Sequence, residues 1–251
     1  SEYYHSLFEE NGFDINSISD LSELSKVPIL KKRSLRGNEE KFYTDKDNKN
    51  CLVFHTSGST GTPLTVRMNR SDFRDRMALL ERLKHCHGIS RKMRHITFVG
   101  RIITSGKGKT FWRYNLFGHQ LVMSVYDLKD ENRKAYINKI KRFKPVMMEG
   151  YPSVINLVAK WFIDSGETLS LRVVFVTAET VLEEYRQNIE KAFNCTVVNY
   201  YGSTEGTVMI TQCECGKLHL NYESGIVEFL REDDTYAAPG EPARMIVTSF
   251  S

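Results

Sequence analysis

Polar and apolar positions alternate over one short stretch of the chain, Leu64, Val66 and Met68 against Thr65, Arg67 and Asn69. A period of two belongs to a strand with one buried face. The apolar run Leu52-Val53-Phe54 precedes it, and the residues between are dominated by Gly, Ser and Thr. The pattern predicts two strands, "CLVFHTSG" and "TPLTVRMN", joined by a glycine-rich loop. From Ser71-Asp72 the period lengthens: Phe73, Met77, Leu80 and Leu83 fall on one helical face, and Gly88 stops the helix. "HITFVG" then reads as a buried strand.

The second half has a regular rhythm. The runs "VMMEG", "LRVVFVT" and "CTVVNYYG" are strands apolar on both faces, separated by the helical patterns "PSVINLVAKWFIDSG" and "LEEYRQNIEKAF". Such alternation predicts an α/β fold whose mainly parallel sheets are covered by helices. After Gly206 come "TVMITQC", "LHLNYES", "IVEFL" and "ARMIVTSF", short strands with turns between them, which predict an antiparallel stretch. The expected organisation is a helical lead-in over 1–50, a first α/β subdomain over 51–145, a second over 146–206, and antiparallel strands over 207–251.

Composition adds bounds. Of 251 residues, 41% are hydrophobic and 26% charged, as in ordinary globular chains. No apolar run approaches the roughly 20 residues of a membrane span, and no basic start leads into an apolar leader, so a cytoplasmic location is expected. The five cysteines are odd in number and irregularly spaced, which points to reduced thiols or a metal rather than a disulfide framework. Net charge is +4, yet Arg82 to Arg113 holds nine Lys or Arg and no acid, leaving −5 for the rest. A segment of that kind is either a solvated face or a region that favours anionic ligands. No recognition helix or aromatic RNA-binding signature accompanies it, so nucleic acid is not the expected partner.

Three patterns do not carry chemistry. "SGKGKT" ends like a phosphate-binding P-loop, but the required first glycine is Ile103. Neither "SGSTG" nor "GSTEG" centres a serine in a G-x-S-x-G elbow. The histidines show no H-E-x-x-H spacing.

Three others do. Thr56, Ser57, Gly58, Ser59, Thr60 and Gly61 form a loop whose glycines can turn backbone N–H groups inward on an anion, with hydroxyls as further donors; a plain hairpin turn is the competing reading. "NYYGSTEG" ends a predicted strand, where ligands of open parallel sheets sit. There Tyr201 offers a ring to a base, Thr204 a hydroxyl to phosphate and Glu205 a carboxylate to Mg²⁺. "TAET", Thr177 to Thr180, ends the neighbouring strand, with Thr180 also a candidate cap for the helix beginning near Leu182. Separately, Cys213, Cys215 and His219 can offer soft ligands to Zn²⁺, or simply form a hairpin around Glu214 to Lys217.

The order of these elements resembles the adenylate-forming superfamily: T-S-G-S-T-G-x-P, then "GYPS", then Ala-Glu, then Y-G-S-T-E. "EGYPSVINLVAKWF" and "FWRYN…LVMSVYDL" are most similar to its phenylacetate–CoA ligase and CapK-like branch, associated with acyl-CoA ligases and capsular polysaccharide genes. The resemblance implies that Thr56 to Gly61 holds ATP phosphates, and that Ala178, Glu179 and Thr180 line the adenine pocket. It implies that Tyr201 stacks on the base, within a nucleotide segment of Asn199, Tyr200, Gly202 and Ser203. Thr204 and Glu205 become the catalytic pair, touching the α-phosphate and ligating Mg²⁺, while Gly150, Tyr151, Pro152 and Ser153 border the acyl pocket. The implied reaction joins a small carboxylic acid to ATP, releasing pyrophosphate and leaving an acyl-adenylate that passes to CoA. The resemblance also implies a zinc half-site at Cys213, Cys215 and His219. It makes the chain the large N-terminal domain of a longer enzyme whose ribose-binding segment and small C-terminal domain lie beyond Ser251. Leu64 stands where many members carry Lys. The alternative expectation is a catalytically inactive, nucleotide-binding relative that serves as a scaffold.

Overall fold

A computed structural model describes residues 1–44, 51–56, 64–100, 103 and 110–250. The described residues form two compact units, one of 1–74, 204–207 and 225–251, the other of 75–203 and 208–224.

In chain order the first unit opens with α1 (Glu2–Glu10), which Ser1 caps by accepting from Tyr4 N. The short α2 (Lys32–Leu35) follows, then the antiparallel pair β1 (Leu52–His55) and β2 (Thr65–Met68). Thr56 closes the neck of that hairpin twice over: its backbone N–H donates to Leu64 O at 3.0 Å, and its hydroxyl accepts from Leu64 N at 2.9 Å. The helix α3 (Arg70–Cys86) runs on into the second unit.

There the chain builds β3 (His95–Val99), β4 (Trp112–Asn115), β5 (Gln120–Ser124), α4 (Arg133–Phe143), β6 (Met147–Gly150) and α5 (Pro152–Ser165). It continues with β7 (Val173–Val176), α6 (Glu183–Phe193), β8 (Thr196–Gly202), β9 (Met209–Gln212) and β10 (Leu218–Leu220). Eight strands make one sheet in the order β10-β9-β8-β7-β6-β3-β5-β4. The five central strands, from β8 to β5, are parallel; β4 on one side, and β9 and β10 on the other, are antiparallel. Strands from 51–145 and from 146–206 therefore share this sheet.

Both sheet faces are covered, which is why the central strands read as unbroken apolar runs. Ile96, Met148, Val174, Val176 and Val197 pack under α4, α5 and α6, where Phe162 and Phe193 meet edge to face at 5.3 Å. Their strand neighbours Met147, Val173, Phe175 and Val198 point to the other face, against Leu83 of α3 and Ile89. Pro152 opens α5 at its first position, where the missing N–H costs nothing, and left-handed Gly166 ends it. The first unit closes with β11 (Ile226–Leu230) and β12 (Arg244–Thr248), paired antiparallel. Between those strands and the hairpin before them, residues Tyr222–Ser224 form a short 3₁₀ turn rather than prolonging a strand.

Candidate active site

Strand register brings three sequence segments side by side in the second unit. Gly150 pairs with Val176, and Val176 with Asn199, so β6 and β7 end at one level while β8 runs on through Tyr200 and Tyr201 to Gly202. Thr177 N donates to Gly150 O at 3.2 Å and carries the alignment one residue further. Beyond that edge lie Tyr151 to Ser153, Ala178 to Thr180 and Tyr200 to Ser203, the position at which open α/β sheets bind ligands.

Each segment has its own local cause. Gly150 sits in a tight place, since a Cβ there would stand 3.0 Å from Phe98 Cβ and 3.4 Å from Phe98 O, so that Phe98 would have to give way. Tyr151 is extended and throws its ring toward the end of β3, its Oη 3.1 Å from where a Cβ on Gly100 would be. Ala178 holds a left-handed backbone, φ 68°, a conformation that costs a non-glycine residue free energy and recurs at ligand sites. The sharp turn sends the Glu179 carboxylate back onto the N-terminus of α5, where Oε2 accepts from Ser153 N at 3.1 Å. Negative charge is stabilised there by the unsatisfied N–H groups and the helix dipole. Thr180 does not cap α6: the cap position is Leu182, which makes no side-chain hydrogen bond to the helix. The helix begins two residues later than a Thr180 cap requires.

The two tyrosines of "NYYG" part company because strand side chains alternate. Tyr201 is 47% exposed, its backbone paired with Ile210 of β9. Tyr200 points to the α3 face and donates its hydroxyl to Glu149 Oε1 at 2.7 Å. Glu149 Oε2 in turn meets the Lys84 ammonium at 3.0 Å, with both side chains largely buried, 17% and 13% exposed. Burial, then the Glu149 charge, pushes the Tyr200 hydroxyl far above its usual range, so it stays a donor. This Lys84–Glu149–Tyr200 network was not read from the sequence. Its one trace there is a lone acid inside the apolar run "VMMEG". Asn199 is anchored by its backbone N–H, which donates to Gln212 Oε1 at 2.9 Å.

In the first unit, Thr56 is fixed by its two bonds to Leu64, while Ser57 to Gly61 lie outside the described residues. Thr204 and Glu205 belong to this unit. Glu205 is exposed and makes no ion pair among the described residues.

Three of the nine cations in the basic run are paired: Arg82 with Glu223, Lys84 with Glu149 and Arg91 with Glu81. Cys213 N donates to Lys217 O and Gly216 N to Cys213 O, closing the β9–β10 hairpin. His219 hydrogen-bonds the Cys213 thiol and, as the largest cause, holds its pKa below the ordinary thiol value. Cys213, Cys215 and His219 line a groove of about 510 Å³ with Cys86 and His87 of the α3 end. Among the described residues no three His, Cys, Asp or Glu side chains gather to hold a metal ion.

The sequence profile of the AMP-binding enzyme family matches residues 10–242. Protein CapK of Staphylococcus aureus is 35% identical over 232 residues, covering 91% of this chain and 51% of that protein. A phenylacetate-coenzyme A ligase of Thermus thermophilus is 25% identical over 210 residues, 81% of this chain and 46% of the relative. Among solved structures, an open conformation of 2-hydroxyisobutyryl-CoA ligase in complex with 2-HIB-AMP and CoA superposes with a TM-score of 0.73. That match covers 98% of this chain and 56% of the other at 17% identity, a likeness of fold. The chain spans about half the length of the curated relatives it matches.

Proposed function

The chain belongs to the AMP-binding enzyme family, and from that premise we propose that it is the nucleotide- and acid-binding part of an AMP-forming ligase. The observation that carries this reading is the parallel register of β6, β7 and β8, which sets Tyr151 to Ser153, Ala178 to Thr180 and the end of β8 with Tyr201 along one edge. Exposed Tyr201 supplies the stacking face for the base, and the left-handed turn at Ala178 opens the wall beside it. Gly150 to Ser153 border the acid. Because Glu179 already occupies Ser153 N, the acid approaches along the Tyr151 side rather than onto the helix N-terminus.

Thr56 to Gly61 would hold the phosphates and Thr204 the α-phosphate. Glu205 fits a Mg²⁺ ligand: it is a hard oxygen donor, exposed and unpaired by any cation among the described residues. When bound, the metal supplies charge neutralisation on the phosphates. This chain's residues then act by orienting the acid oxygen in line with the α-phosphorus, a positioning role that needs no protein nucleophile. The acid oxygen forms the new bond to phosphorus and pyrophosphate leaves. Transfer of the acyl group to CoA, within a protein whose further domain completes the site, is part of the same proposal.

The test is acid-dependent exchange of pyrophosphate into ATP by the full-length protein across aryl, aliphatic and sugar-linked acids. Exchange with at least one acid supports the proposal. ATP binding without exchange for any acid would replace it with a non-catalytic nucleotide-binding role.

A further inference from the structure

The opposite edge of the eight-stranded sheet has a different character. At the N-terminal ends of the parallel strands, His95 N donates to His119 O and Val146 N to Arg94 O, which draws the β4–β5 turn, the start of β3 and the end of α4 together. Tyr114 meets Phe143 of α4 edge-on at 5.9 Å across the same edge. The turn is built firmly: His119 N donates to Leu116 O, Gly118 N to Asn115 Oδ1, and His119 is left-handed. It presents Phe117 at 97% exposure, beside Leu116 at 67% and Tyr114 at 46%. Isolated exposed apolar side chains are ordinary. Three together on an ordered tip are less so.

The charges around this tip are of one sign. Lys92 and Arg94 before β3, and Arg142 and Lys144 at the end of α4, are exposed and form no ion pair among the described residues. Two acids of the flanking elements are engaged elsewhere, Glu81 with Arg91 and Glu167 with Lys141. We propose that this edge is a peripheral docking surface for anionic phospholipid, with Leu116 and Phe117 entering the headgroup boundary inside a collar of Lys92, Arg94, Arg142 and Lys144. An apolar wedge within basic side chains is the arrangement that binds membrane interfaces, each cation adding attraction to the negative surface. Leu116 has no face to stack on a base, which disfavours nucleic acid. No helix among the described residues is long and apolar enough to cross a membrane, so attachment would be lateral and reversible. The edge lies opposite the strand ends that carry Tyr151, Ala178 and Tyr201, so docking leaves them open.

The experiment is sedimentation of the full-length protein with vesicles of equal parts phosphatidylglycerol and phosphatidylcholine, and with pure phosphatidylcholine. Wild type should pellet with the anionic vesicles alone and be released by salt, as screened charge requires. L116S/F117S and, separately, R142E/K144E should each weaken binding roughly tenfold or more, with thermal midpoints and ATP affinity unchanged. Failure of wild type to pellet would overturn the proposal, as would full binding by either double variant. Loss of a concentration-dependent dimer in L116S/F117S without any vesicle binding would assign the edge to self-association. Retention on duplex DNA without vesicle binding would assign it to nucleic acid.

Discussion

Replacing Glu149 by Gln tests the buried network beneath β8. The substitution keeps shape and still accepts the Tyr200 hydroxyl, but leaves the Lys84 ammonium, only 17% exposed, without a countercharge. Breaking one side of a buried pair typically costs about 3–5 kcal/mol, because an uncompensated charge remains. Residual exposure of both side chains puts the expectation at the lower end, ~3 kcal/mol. For a chain of this size each kcal/mol lowers the melting midpoint by about 2–4 °C, so Glu149→Gln should melt roughly 6–12 °C below wild type. Lys84→Met in the same background removes the stranded charge and keeps the stem packed against the sheet. The double variant should recover more than half of the loss, a coupling well outside the ~0.5 kcal/mol scatter of independent sites. Urea titrations of wild type, both single variants and the double variant give the cycle directly. Additive losses, or a Glu149→Gln midpoint within a degree or so of wild type, would show that the pair contributes nothing and that β8 is held by its ladder alone.

Glu205→Gln in full-length protein should lower adenylation roughly a hundredfold or more, the scale of losing one electrostatic stabiliser, while ATP affinity measured by calorimetry changes far less; an active variant would remove Glu205 from the chemistry. Iodoacetamide mapping by mass spectrometry should label Cys213 first, because His219 favours its thiolate; His219→Ala should slow it, and Cys195, pushed up to about 12 by burial, should stay unmodified until the chain unfolds. Zinc in the purified full-length protein that blocks this labelling and is lost in Cys213→Ser would instead mark the hairpin as part of a metal site. Burial lowers the His95 pKa, so the fold keeps it neutral while the unfolded chain takes up a proton near pH 6.5. Stability from this group is therefore whole above about pH 6.5 and declines as pH falls toward the lower folded value; denaturation midpoints of His95→Gln should lose that part of the acid slope. Gly225→Ala should be among the most damaging single-methyl changes, since the added Cβ would stand 2.4 Å from Thr207 O and 2.9 Å from Thr248 O. Soluble Gly225→Ala with wild-type stability would contradict that geometry.

What could be read from the residues depended on the distance over which each cause acts. The helices α5 and α6 and the strands before them were legible, because periodicity and end signals such as Pro152 and Gly166 lie within the segment itself. By contrast β4, β5 and α4 were not assigned. Three of the four residues of β4 are exposed, and α4 alternates basic residues with the buried Tyr136, Ile137 and Ile140. Their structure depends on Trp112 and Phe111 packing against Tyr136, contacts between elements. At the site, the three strand ends were placed correctly from the α/β rhythm. The opposite fates of Tyr200 and Tyr201, the Glu179 contact with Ser153 and the pairing of Lys84 with Glu149 needed the third dimension. A formal count of charge likewise could not show that three of the nine cations from Arg82 to Arg113 are paired with acids outside the segment.

The second unit is complete once residue 224 has been made, but the first is assembled from 1–74, 204–207 and 225–251. During synthesis the leading 74 residues therefore emerge long before their last partners, β11 and β12, exist. The sheet built on β3 to β10 can condense as an independent nucleus while its older neighbour waits, half-made, with β1 and β2 still short of their finished surroundings. A ribosome that stalls between residues 224 and 251 would hold a chain whose eight-stranded sheet is whole and whose first unit lacks its last strands, a ready client for chaperones. The folding of residues 1–74 would thus be decided by strands made long after them.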